Sequence, residues 1–69
     1  MKYRRQRELQ EKIALIPRGP RGSAQNQFRN AVWFLASQLR YTFEEALDRA
    51  LRLVRQREPS FVPTILPGV

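Results

Sequence analysis

The stretch FRNAVWFLASQLRYTFEEALDRALRLVRQ, residues 28–56, decides the fold because it contains two apolar helical patterns joined by a short turn. In its first half, apolar residues recur every three or four positions, which is typical of a helix with one buried face. We therefore predict a helix over residues 24–40. Its predicted core residues are Phe28, Val32, Leu35 and Leu39, flanked by Ala31 and Ala36.

The second half opens with a capping box. Thr42 and Glu45 stand three residues apart, so the Thr hydroxyl accepts a hydrogen bond from the Glu45 amide while the carboxylate reaches back to the first amide. Tyr41 and Ala46 occupy the positions of a hydrophobic staple. This predicts a helix over residues 43–57. Its expected core residues are Phe43, Ala46, Leu47, Ala50, Leu53 and Val54, with Leu51 on the margin.

The remaining segments are arms attached to this helical hairpin, which spans residues 24–58. For residues 1–16, the pattern predicts a basic helix whose C-terminal half carries an apolar stripe of Leu9, Ile13 and Ile16. Residues 17–23, PRGPRGS, form a linker that cannot continue a helix. Residues 59–69 form an apolar tail with three prolines, expected to lie extended across the helices or across another protein chain. The predicted fold class is all-α, a small bundle of about three helices.

Positive charge is concentrated near the N-terminus. Residues 1–22 contain seven Lys/Arg and two Glu, residues 23–41 contain two Arg and no acid, and residues 42–69 contain four of each sign. These segments carry +5, +2 and 0, which sum to the formal net charge of +7. Such asymmetry favours a polyanionic partner such as RNA, DNA or a nucleoprotein complex, although a basic arm that only improves solubility has the same composition.

Composition argues against catalysis. The chain has no histidine and no cysteine, which removes the commonest general base, the usual thiolate chemistry and the commonest metal ligands. The acidic residues fit helix caps or ion pairs four residues apart. We expect no enzyme activity, cofactor, metal or membrane span, and a cytoplasmic protein.

Nine residues form the candidate nucleic-acid-binding set. The arm would contribute charge along a nucleic-acid groove, the linker would supply adaptable guanidinium groups, and Trp33 between two arginines on one shoulder of its helix would stack on a base. Alternatively, the arm is an ordinary surface helix, the linker only reverses the chain, and Trp33 is the wide edge of the core. The set is Lys2, Arg4, Arg5, Arg7, Arg18, Arg21, Arg29, Trp33 and Arg40.

A second set predicts a protein interface. Phe34 and Tyr41 fall on the side opposite Val32, where exposed aromatics indicate a dimer contact, a partner site or a surface covered by the tail. The tail adds four apolar residues between its prolines. The complete set is Phe34, Tyr41, Phe61, Val62, Ile65 and Leu66.

Residues 28–57 resemble two families of small DNA-binding regulators. The sequence Leu35-Ala36, followed by Leu39, a turn ending at Thr42, and then Ala46 and Ala50, resembles a helix-turn-helix. Thr42-x-x-Glu45-Ala46 is similar to the opening of the second helix of ribbon-helix-helix regulators. The helix-turn-helix resemblance implies DNA binding through the second helix. That helix opens Phe43-Glu44-Glu45, however, and carboxylates there repel phosphates, so we interpret it as scaffold.

The function expected from the sequence is therefore that of a small binding or regulatory protein. Its partner is a nucleic acid or nucleoprotein machine contacted through the basic arm. The alternative is a protein-interaction module or an assembly subunit, in a homodimer or a larger complex, that uses the Phe34/Tyr41 face and the tail.

Overall fold

The computed structural model describes residues 2–68, with side chains described from residue 6 onward. Its helices are α1 (Lys2–Ile13), α2 (Ala24–Ser37) and α3 (Phe43–Arg55), and the described residues contain no strand. The radius of gyration is 11.8 Å, close to the value of about 11 Å expected for a compact chain of this length. The predicted all-α bundle of three helices is confirmed.

Helices α2 and α3 form a closely packed hairpin. Ala46 and Ala50 on α3 are fully buried, as is Val32 on α2. Because alanine side chains are small, the α3 backbone can approach α2 closely at these positions. The larger side chains of α2 then fill the space between the two helices. The buried residues predicted on α2 are confirmed for Phe28, Val32, Leu35 and Ala36.

The turn between α2 and α3 differs from the prediction. Helix α2 ends at Ser37, and Arg40 adopts a positive φ of 63°. This left-handed conformation redirects the chain, and the Tyr41 amide then donates to the Leu35 carbonyl at 3.1 Å. The prediction that Leu39 is buried is wrong, since its side chain is 52% exposed. The placement of Tyr41 on the solvent face is also wrong, because Tyr41 is half-buried and packs against the core.

Helix α3 begins where the capping box predicts. Thr42 Oγ1 accepts from the Glu45 amide at 3.2 Å, whereas the Glu45 carboxylate accepts from Arg49 Nε at 3.0 Å. The buried face is rotated from the expected one: Leu51 packs against the core, while Leu53 is 50% exposed. Leu53 lies about 100° from Val54 on the helix, on the side away from Leu51. The prediction of Leu53 as a core residue is therefore wrong.

Helix α1 packs against the hairpin by its C-terminal half, as its apolar stripe predicts. Ile13 and Ile16 are buried and Leu9 is partly buried against the core. The helix ends at Ile13 and is followed by two short turns. In these turns the Leu15 amide donates to the Lys12 carbonyl, and the Ile16 amide donates to the Ile13 carbonyl. Ile16 reaches the core from this turn.

The C-terminal tail lies along the chain's own helices. Phe61 packs against Phe28 with 6.0 Å between ring centroids. Further along, Thr64 exchanges two hydrogen bonds with the side-chain amide of Gln25, and the Leu66 amide donates to the Leu15 carbonyl at 2.7 Å. Of the two arrangements that the sequence left open for the tail, the structure therefore has the intramolecular one.

Candidate nucleic-acid interface

The linker is held against the beginning of α2 by side chains of that helix. Arg29 Nε donates to the Ile16 carbonyl at 2.8 Å, Gln25 Nε2 to the Pro17 carbonyl at 2.9 Å, and Gln27 Nε2 to the Gly22 carbonyl at 3.3 Å. Gly22 has a φ of 80°, a conformation that favours glycine at this turn. These hydrogen bonds hold the backbone against α2 on both sides of Arg18.

A cleft opens between α1, the linker and α2, with a volume of about 420 Å³. Three of its residues come from one side of α2, because Arg29 and Asn30 stand four and three residues before Trp33. Trp33 is 37% exposed, so part of its indole is accessible. The lining residues are Gln10, Ile13, Arg18, Arg29, Asn30 and Trp33.

The cleft carries uncompensated positive charge. Burial lowers the pKa of Arg29, and the nearby Arg18 guanidinium lowers it further by repulsion. No carboxylate lines the cleft. Among the described side chains, ion pairs join Arg7 to Glu11 on α1, and Arg49 to Glu45 and Arg52 to Asp48 on α3. Two arginine residues therefore line the cleft, and its lining contains no carboxylate.

Trp33 also borders a second cleft of about 320 Å³, on the side toward the end of α2. Arg40 and Gln38 lie there, together with Gln6 and Leu9 of α1. The predicted grouping of Arg29, Trp33 and Arg40 is thus divided at Trp33, with Arg29 in one cleft and Arg40 in the other. Arg40 lies beyond the end of α2, so helical spacing does not describe its position.

The other predicted nucleic-acid residues are spread along the N-terminal third of the chain. Arg7 is exposed, with its Nε 3.9 Å from Glu11 Oε1, and Arg21 is exposed in the linker. The side chains of Lys2, Arg4 and Arg5 lie outside the described residues.

The predicted protein-interface residues do not form one surface. Phe34 is 53% exposed on the C-terminal half of α2. Tyr41 lies beneath Arg49, whose guanidinium carbon is 4.3 Å from the ring centroid. Phe61 is half-buried against the core, whereas Val62, Ile65 and Leu66 are exposed. Since the tail contacts Gln25 at the opposite end of α2, it does not cover Phe34.

Sequence reasoning missed two features. The first is that Gln10 and Asn30 help to line the cleft that contains Arg18 and Arg29. The spacing of three residues between Asn30 and Trp33 is the only local pattern that could have indicated this.

The second is a shallow groove between the hairpin helices. It exposes Leu39 and Leu53, which sequence periodicity assigned to the core. Its lining residues are Leu35, Leu39, Tyr41, Arg49, Arg52 and Leu53.

The described residues contain no group of three or more potential metal-ligating side chains. No helix among them is both long enough and apolar enough to cross a bilayer. No protein-family model, curated protein or solved structure matches the chain.

Proposed function

We propose that this protein binds nucleic acid, or a nucleoprotein assembly, through the basic surface formed by the N-terminal arm, the linker and the Arg18/Arg29 cleft. The observation that carries the proposal is the cleft itself, where two guanidinium groups lie close together with no carboxylate in the lining. Like charges held together without compensation favour an anionic ligand, and phosphate matches the forked geometry of guanidinium donors.

The arrangement of charge in the hairpin supports this surface rather than α3. On α3, Arg49 and Arg52 are each paired with an acid one turn earlier. Arg55 donates to the Phe61 carbonyl at 3.0 Å and so helps to hold the tail. Helix α3 therefore acts as scaffold, and a binding mode in which it enters a DNA groove is disfavoured.

Salt dependence tests the proposal. Binding of fluorescent RNA and DNA is measured at several salt concentrations for the intact chain and for the double variant Arg18→Gln/Arg21→Gln. If both arginines neutralise phosphates, the slope of log K against log salt becomes shallower by about 1.4 for single strands and about 1.8 for duplex DNA. The control, Arg52→Gln/Arg57→Gln, removes the same charge from α3 and its C-terminal end.

An equal loss of affinity in both double variants would mean that binding depends only on the net charge of the protein. That result would contradict a binding surface located at the linker and the cleft. Absence of binding by the intact chain at low salt would rule out the proposal. Circular dichroism of each variant establishes that the helices remain folded.

A second candidate function is a protein interface on the hairpin. The groove with half-exposed Leu39 and Leu53 favours it, because apolar side chains of this size on a small domain indicate a contact surface. Sedimentation equilibrium of the intact chain and of Leu53→Lys tests whether the partner is a second copy. Self-association that is lost in the variant supports a homodimer, whereas unchanged sedimentation argues against one through this groove.

A further inference from the structure

We infer that the Arg18/Arg29 cleft accepts an unpaired base, stacked on Trp33, so that the preferred ligand is a single-stranded nucleic acid rather than a duplex. This inference rests on the proposed function and specifies its ligand class. The juxtaposition that carries it is an accessible indole beside two guanidiniums and two side-chain amides in one cleft.

The cleft contains the groups that nucleotide recognition requires. The cleft is open to solvent and has a volume of about 420 Å³. Trp33 supplies an aromatic face, Arg18 and Arg29 supply donors for phosphate, and the amides of Gln10 and Asn30 can both donate to and accept from a base edge. Arg29 is positioned by its Nε bond to the Ile16 carbonyl.

Stacking on Trp33 requires an unpaired base. Trp33 lies on α2 and lines two open clefts, each of which also includes residues of α1. A base inside a duplex is stacked on its neighbours and exposes only its edges, whereas an unpaired base can turn out of the strand and stack on an aromatic ring. Duplex binding would then use only phosphate contacts outside the cleft.

The experiment uses the chain's single tryptophan as its own probe. Single-stranded RNA and DNA of identical length and mixed sequence, and the corresponding duplexes, are titrated at one salt concentration. We expect single strands to quench the fluorescence of Trp33 and duplexes to leave it nearly unchanged. Comparison of the RNA and DNA titrations shows which of the two sugars is preferred.

Substitutions separate stacking from packing. Trp33→Leu keeps an apolar side chain at this position without an aromatic face, and is expected to weaken single-strand binding by about five- to 150-fold with little effect on duplex binding. Trp33→Phe is expected to retain part of the affinity. Phe34→Ala is the matched control, because this neighbouring aromatic is exposed and lines neither cleft.

The outcomes distinguish this inference from the proposed function. Equal affinity for single strands and duplexes, with no effect of Trp33→Leu, overturns the stacking site and leaves phosphate-dependent binding intact. Absence of binding to any nucleic acid overturns both. Selective loss of single-strand affinity in Trp33→Leu, with Phe34→Ala unchanged, supports the site.

Discussion

The substitution Gln25→Ala tests whether one side chain holds together the linker and the C-terminal tail. Gln25 Nε2 donates to the carbonyls of Pro17 at 2.9 Å and Thr64 at 3.0 Å, and Gln25 Oε1 accepts from the Thr64 amide at 2.9 Å. The Gln25 side chain thus connects two segments that are 47 residues apart along the chain, at positions 17 and 64.

The expected loss of stability follows from these three bonds. A net contribution of about 0.5–1.5 kcal/mol for each bond sets the range, and solvent access at Thr64 reduces the total. We therefore expect Gln25→Ala to lower the free energy of unfolding by about 2 kcal/mol. This is a large fraction of the roughly 3–10 kcal/mol expected for a domain of this length.

Gln27→Ala is the matched control, since Gln27 lies on the same helix and makes one exposed bond of 3.3 Å to Gly22. Urea unfolding followed by circular dichroism measures both variants, with the m-value showing whether the unfolding transition itself is altered. Hydrogen exchange should show faster exchange of the Thr64 amide in Gln25→Ala alone. Equal losses of unfolding free energy in the two variants, or unchanged hydrogen exchange of the Thr64 amide, would refute the assignment of Gln25 as the connecting residue.

Three further substitutions test the hairpin. Thr42→Ala removes the cap of α3 and should cost about 1 kcal/mol in thermal unfolding, whereas Thr42→Ser should retain most of the stability. Ala50→Leu inserts volume at a fully buried helix contact and should cost about 1–3 kcal/mol or more in urea, so a neutral effect would contradict the close approach of α3 to α2. Arg40→Gly should stabilise by about 1 kcal/mol, because glycine adopts the positive φ without strain; destabilisation would show that contacts of the Arg40 side chain outweigh that strain.

The helices and most of the core were predictable because their signals are local. The periodic residues Phe28, Val32 and Leu35 lie within one helix, and Thr42 caps the helix that it immediately precedes. One error occurred where that regularity ended. Leu39 follows the end of α2 and lies next to the left-handed Arg40, so an extrapolated helical angle placed it on the wrong side.

The candidate site was predictable in part. The sequence placed Arg29 and Trp33 on one side of α2 and predicted Arg18 as a separate contribution of the linker. The structure places Arg18 in the same cleft and adds Gln10 and Asn30. These residues come together only because α1 and the linker fold back onto α2, where the hydrogen bond from Arg29 to the Ile16 carbonyl helps to hold them. No short-range sequence pattern encodes this packing.

By itself, the sequence determined the number of helices, the start of α3, the face by which α1 packs, and the concentration of positive charge near the N-terminus. Each depends on residues within a few positions of one another, through periodicity, capping or charge. Only the tertiary structure decided the intramolecular path of the tail, the exposure of Leu39 and Leu53, and the placement of Arg18 and Trp33 in one cleft. These depend on side chains such as Gln25, whose partners are distant in sequence and become neighbours only when the bundle closes.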